Sequence, residues 1–123
     1  MTNQELGILG ENIAVAHLIS KGYTILDRNY RFKKNEIDIV TSFQNKIVVV
    51  EVKARQTAEI GEPWMAVTKA KQKLIITVAD QYIQSKQIEN ETRFDIISIV
   101  HNSFRTKIEH IEDAFIPEIG AGY

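Results

Sequence analysis

The chain contains no cysteine. Disulfides, thiolate zinc sites and cysteine nucleophiles are therefore excluded. Proline occurs twice and tryptophan once in 123 residues, and no linker, repeat or low-complexity segment interrupts the chain. No apolar run reaches the roughly 20 residues of a membrane-spanning helix. Met1-Thr2-Asn3-Gln4-Glu5 lacks the basic start and apolar core of a signal peptide, so a cytoplasmic location and no membrane partner are expected. Charge of one sign is also lacking, since the net charge is −1. What remains is 44% hydrophobic and 25% charged residues, ordinary values for a globular domain with one core. A single domain over residues 1–116 is expected, followed by a fraying tail at 117–123.

The distribution of charge is less even than its sum. Residues 21–73 hold eleven Lys/Arg and six Asp/Glu, whereas the rest holds four basic and ten acidic residues. Such asymmetry fits a polyanion-binding face backed by an acidic one, although a mixed solvated surface has the same composition.

Residues 3–21 read as a helix, with Leu6, Leu9, Ile13 and Ala16 near helical period, Ala14 and Leu18 beside them, and Gly22 as the stop. Gly7 and Gly10 each cost that helix about 1 kcal/mol against alanine. They point to a late start, or to a face where another backbone comes close. Strands are expected at 23–32, 36–43 and 46–53, with a left-handed turn position at Asn35 and a hairpin at Gln44-Asn45. Ile47-Val48-Val49-Val50 is apolar on both faces, which predicts a central strand. A loop at 54–63 leads to a second helix at 66–86, whose stripe includes Val67, Leu74, Ile75, Val78 and Tyr82. A strand at 93–100 follows, and 107–115 is a last strand or an irregular edge. The order predicts an α/β fold: a mixed sheet flanked by helices, with residues 66–86 as the crossover to a parallel strand.

Chemistry concentrates in Glu36-Ile37-Asp38 and Glu51-Val52-Lys53, which place three carboxylates and a lysine in otherwise apolar strands. Charged groups are rarely buried without partners. Alternation puts Glu36 and Asp38 on one face, and Glu51 and Lys53 on one face of the next strand. A hairpin turning at 44–45 brings position 38 opposite about position 51. Asp38 and Glu51 are thus candidate ligands for Mg²⁺, which needs only one or two carboxylates besides water and a substrate phosphate. Lys53 is placed to orient or deprotonate an attacking water, or to stabilise phosphorane charge. A structural salt-bridge set, Glu51 with Lys53 or Arg55, has the same spacing.

Glu11 lies beside the apolar stripe of the first helix, either as a further ligand or as an acid favoured by the helix dipole. Lys71 interrupts the apolar row of the second helix, where it snorkels or points at a phosphate or a carboxylate. Arg28, Arg31, Lys33, Lys34 and Arg55 are candidate phosphate contacts. Tyr30, Phe32 and Trp64 are either core aromatics or bases' stacking partners. His17, His101 and His110 show no ligand spacing.

Gly10-Glu11-Asn12-Ile13-Ala14, Gly22 to Arg31, Glu36-Ile37-Asp38-Ile39-Val40, Val50 to Arg55, Ala66-Val67-Thr68, Lys71 and Arg93-Phe94-Asp95 together form a longer pattern. In order and spacing, over nearly the whole chain, it resembles the YraN-like family of small bacterial proteins. That family looks like part of the PD-(D/E)XK, restriction-endonuclease-like superfamily and is similar to Holliday junction resolvases. The resemblance makes Asp38 the motif aspartate, Glu51 and Lys53 the E-x-K pair, Glu11 the first-helix acid and Lys71 a basic position of the second helix. Asn35 stands where the family usually has glycine, and Ile37 where the superfamily name has proline. The resemblance implies a Mg²⁺- or Mn²⁺-dependent nuclease acting on DNA, branched substrates included, and a homodimer. A nucleic-acid-binding module without catalysis and a protein-interaction domain with a structural charge cluster are the alternatives.

Overall fold

The computed structural model describes residues 1–58 and 63–117, with backbone alone at positions 63 and 64. The central part of the expected loop, the side chain of Trp64 and the tail from 118 onward lie outside the described residues. Two helices, α1 (Asn3–Ser20) and α2 (Lys69–Ser85), flank five strands: β1 (Thr24–Phe32), β2 (Asn35–Phe43), β3 (Lys46–Arg55), β4 (Thr92–His101) and β5 (Thr106–Phe115). The strands form one mixed sheet in sequential order. Only β3 and β4 pair in parallel; the other three neighbours are antiparallel. This is the expected α/β class, with α2 as the crossover, and it is consistent with a restriction-endonuclease-like fold. Among the described residues no helix is long and apolar enough to cross a membrane.

The local reasons are legible. Gln44 and Asn45 have φ of 48° and 64°, the two left-handed positions that a two-residue hairpin with right-twisted strands requires. The turn between β1 and β2 differs from expectation. Lys33 takes the left-handed conformation, with φ 57°, while Asn35 already pairs with Phe32 in the ladder. Thr2 caps α1 through a reciprocal box with Glu5. Thr68 caps α2 by accepting from the Lys71 amide at 3.2 Å. That cap starts α2 later than residue 66, and Pro63–Ala66 instead form a short 3₁₀ turn. β3 continues to Arg55, two residues into the expected loop.

The sheet has a core on each face. One joins Val40, Ile47, Val49 and Ile96 to Ile75, Val78, Ala79 and Tyr82 of α2; the other joins Ile39, Val48, Val50, Ile97 and Ile99 to Ala14 and Leu18 of α1. β3 supplies both, as its unbroken apolar run predicts. The buried row of α1 is Leu6, Gly10, Ala14 and Leu18; the expected Leu6, Ala14 and Leu18 are inside, but Ala16 is exposed, so the helix is turned away from its Leu9–Ala16 side. Gly10 explains the turn, because a Cβ there would lie 2.5 Å from the Ala54 Cβ. The helix therefore lies against β3 by its smallest residue. In α2 the expected Ile75, Val78 and Tyr82 are buried, as is Val67 before it, while Leu74 is exposed and Ile76 is buried in addition. Tyr30 packs edge-on against Tyr82 at 4.9 Å, as a core aromatic.

Candidate functional site

The site forms where the β2–β3 ladder ends. Its last registered pair is Ile39 with Val50, so continuation of the register sets Asp38 opposite Glu51. There the Asp38 carboxylate, through Oδ2, accepts the Val52 N–H at 2.8 Å and fixes its side chain across β3. On the other side of β2, the pairs Arg28–Ile39 and Tyr30–Ile37 skip the step between them, and Asn29 there has φ 53°. Ile37 packs with the α2-side core but Ile39 with the α1-side core. Strand alternation thus slips at Asp38, and the expectation that Glu36 and Asp38 share a face by simple alternation does not hold. Asp38 turns to β3; Glu36 turns to β1, donated to by Arg31 at 3.0 Å and Asn29 at 3.4 Å.

Glu51 is only 4% exposed. Burial, with the Asp38 carboxyl in hydrogen-bond contact beside it, pushes its pKa up to about 8, partly offset by Lys71 and Lys53. Lys71 Nζ lies 3.6 Å from Glu51 Oε2. The helical lysine that interrupts an apolar row therefore faces a carboxylate, and it is Lys71 from across the crossover, in addition to nearby Lys53, that balances Glu51.

Glu11 and Glu36 stand on the α1 side, in a cleft of about 350 Å³ that Gly7, Asn29, Asp38 and Val52 also line. The Glu11 carboxylate accepts from Arg28 Nε at 3.3 Å and Asn29 Nδ2 at 3.0 Å. Arg28 also donates to Asn12 at 2.7 Å. Asn29 thus bridges Glu11 and Glu36, a role that its position in an apolar–polar strand did not signal. Arg28 and Arg31 are engaged with these acids. Lys33 lies over the Phe32 ring at 5.4 Å, and Lys34 is exposed in the same turn, at the site end of β2. Arg55 closes β3.

The donor chemistry fits a hard divalent cation. Among the described residues no three His, Asp or Glu side chains converge as a complete ligand set. Asp38 and Glu51 provide two carboxylates side by side, the complement that Mg²⁺ uses when water and a phosphate complete its shell.

A second charged cluster was not anticipated. Asp95 is fully buried. It accepts two bonds from Arg93, at 2.9 and 2.8 Å, and the Asp113 amide at 2.9 Å, with His110 Nε2 at 2.8 Å. Burial alone would raise its pKa; the bonds from His110, Arg93 and the Asp113 amide outweigh burial and hold it below the usual carboxylate value. His110 Nδ1 meets His17 Nε2 at 3.3 Å, tying β5 to α1. The signal was present as Arg93-Phe94-Asp95 within an alternating strand, but the other partners come from β5, from α1 through His17, and from Tyr23 before β1.

Comparison with known proteins agrees with these motifs. The model of a family described as "Uncharacterised protein family UPF0102" matches residues 10–99. A UPF0102 protein of Phocaeicola vulgatus is 43% identical over 117 residues, covering 95% of this chain and 97% of its own. One from Christiangramia forsetii is 42% identical over 113 residues, 92% of this chain and 95% of its own. One from Clostridioides difficile is 42% identical over 116 residues, 94% of this chain and all of its own length. With a family model over most of the chain and relatives matched nearly end to end, the chain belongs to the UPF0102 family, the YraN family that its motifs resemble.

Proposed function

We propose that this protein is a metal-dependent endonuclease or resolvase that hydrolyses DNA phosphodiester bonds in the cytoplasm, working as a homodimer on branched or otherwise distorted DNA. The observation that carries the reading is the Asp38–Glu51 contact at the end of the ladder, with Lys53 and Lys71 beside it. Lys53 and Lys71 match the two carboxylates in number, yet they only partly offset the burial of Glu51 and its contact with Asp38. Two carboxylates in contact, one of them buried, raise the energy of the fold unless a further cation joins them.

Asp38 and Glu51 would hold Mg²⁺ or Mn²⁺, with Glu11 reaching in across the cleft. When bound, such an ion polarises a phosphoryl oxygen and lowers the pKa of water. The chain's own groups do the rest. The Val52 amide fixes Asp38 in place. Lys71 compensates Glu51, leaving Lys53 to meet the charge that builds on the phosphate. Arg28 and Asn29 hold Glu11 toward the cleft, and Arg31 holds Glu36 at its rim. Lys33, Lys34 and Arg55, at the same end, are phosphate contacts that position a strand without reading sequence.

The test is a cleavage panel. Purified protein with Mn²⁺ and branched, single-stranded and duplex DNA is expected to cut at least the branched substrate, with loss of activity in Asp38→Ala. Cleavage of none of them, or equal cleavage by Asp38→Ala, overturns the proposal. Salt-sensitive binding that survives Asp38→Ala and Lys53→Ala, without cleavage, would favour a binding module instead.

A further inference from the structure

Phe104 is 93% exposed, far more than any other large apolar residue described. It sits at the tip of the β4–β5 hairpin, between Ser103 and Arg105. An exposed aromatic on a loop is unremarkable when the loop is loose. This tip is pinned. Asn102 Oδ1 accepts the Phe104 and Arg105 amides at 2.9 and 3.2 Å, and the Asn102 amide donates to the Arg105 carbonyl at 3.1 Å. His101 Nδ1 and Thr106 Oγ1 meet at 2.6 Å across the strand ends. The ring is thus held outward by its own backbone while it touches no core.

Position and charge suggest what it meets. β4 runs parallel to β3, with Arg55 paired to Val100, so the hairpin tip projects from the sheet end that carries Lys53 and Arg55. Asn102 Nδ2 donates to the Gln56 carbonyl at 2.7 Å, which couples the tip to the segment just after β3. A cleft of about 310 Å³ beside the tip is lined by Met1, Gln56 and Asn102, bringing the start of α1, which also borders the candidate site, to the same end. Residues 101–108 contain Arg105 and Lys107 and no carboxylate, although residues 74–123 hold four basic and eight acidic residues in all. A pinned aromatic followed by two exposed cations, Arg105 and Lys107, in an otherwise acidic half, fits a base with its adjoining phosphates.

We propose that Phe104 is a stacking platform for an unpaired nucleobase, with Arg105 and Lys107 on the adjoining phosphates. This deepens the nuclease reading and rests on it. Eight residues separate Phe104 from Ile96, the strand partner of Glu51. Five of these steps, Ile96 to His101, are strand, about 17 Å at 3.3 Å per residue, and the turn at 102–105 carries the ring beyond that. A continuous duplex offers no free base face to such a ring, so the platform selects single-stranded, forked or junction DNA.

The experiment measures binding of full-length protein to a single strand, a fork and a blunt duplex of equal length, with Ca²⁺ in place of Mg²⁺ to suppress turnover. Phe104→Ala is expected to weaken single-strand and fork binding about tenfold, to leave duplex binding within about twofold, and to leave the melting temperature unchanged; Phe104→Trp is expected to restore binding. Wild-type affinity in Phe104→Ala overturns the platform while leaving the nuclease reading intact. Equal weakening on all three substrates overturns it as well. Failure of the wild type to bind any of the three at low salt overturns both. Conversion of a dimer to a monomer by Phe104→Ala identifies the tip as a protein contact and overturns the platform.

Discussion

At the scale of residues, Glu51 holds the least comfortable position in the chain. Its pKa is raised to about 8, from an ordinary 4.5, by burial and by Asp38. A raised carboxyl stabilises the fold most below pH 4.5, and that contribution is lost as the pH climbs through the folded value near 8. Metal-free Glu51→Gln is therefore expected to be more stable than wild type at pH 8, by roughly 2–4 kcal/mol, and equal to it near pH 4. Denaturant unfolding at the two pH values checks this, and a less stable Gln variant at pH 8 would contradict it. Asp95 has the opposite sign. Its lowered pKa gives stability that is present above 3.8 and lost as pH falls through the lower folded value. Asp95→Asn leaves Arg93 without its buried counter-charge and is expected to cost about 3–5 kcal/mol, read as a large fall in melting temperature at pH 7. Of these two buried acids, sequence pointed to Glu51, because a carboxylate and a lysine two residues apart disturb an apolar strand. Asp95 was harder to see. Its partners Tyr23, His110 and the Asp113 amide lie 72, 15 and 18 residues away, the first only through Arg93, and no local pattern records such distances.

At the scale of elements, the two glycines of α1 separate structure from function. Gly10 is where the helix touches β3, and a methyl group there meets Ala54 at 2.5 Å. Gly10→Ala is expected to destabilise by about 1–3 kcal/mol. Gly7 has nothing within 4 Å of the same construction, yet it lines the cleft with Glu11 and Asp38. Gly7→Ala is expected to raise stability by about 0.5–1 kcal/mol. Thermal melts of both variants decide the matter, and a destabilised Gly7→Ala would contradict the assignment. Element boundaries were legible to within a residue or two where turn chemistry was strong, as at Gln44-Asn45 and Gly22. They were less so where a cap decided the issue, as at Thr68. Much of each helical stripe was legible, since Leu6, Ala14 and Leu18 of α1 and Ile75, Val78 and Tyr82 of α2 are buried, whereas Gly10 and Ile76 join them unannounced. Periodicity reports a face, but in α1 a glycine, and not the leucines, determines which side approaches the sheet. The slip of alternation at Asp38 was invisible for a similar reason. It coincides with Asn29 on the neighbouring strand, whose φ is 53° and which is not paired with Asp38 in the ladder.

At the scale of the whole molecule, the sheet gathers charge that is scattered in sequence. Of the basic residues in 21–73, Lys33, Lys34, Lys53 and Arg55 lie at the sheet end that carries the β4–β5 hairpin, whereas Lys46 opens β3 at the other end. Binding to DNA should then depend steeply on salt. Lys33→Ala with Lys34→Ala is expected to reduce the slope of log affinity against log salt by about 1.5–2 while weakening all sequences alike; an unchanged slope would remove that turn from the interface. On the proposed function Asp38 and Glu51 are a cation centre and not a structural ion cluster. Calorimetric titration of the protein with Mn²⁺ at pH 7, in two buffers of different ionisation enthalpy, tests it most directly. A single saturable site is expected, with release of close to one proton as Glu51 ionises against the metal, and loss of the site in Asp38→Ala. Absence of saturable heat in the wild type, or the same heat in Asp38→Ala, would contradict it.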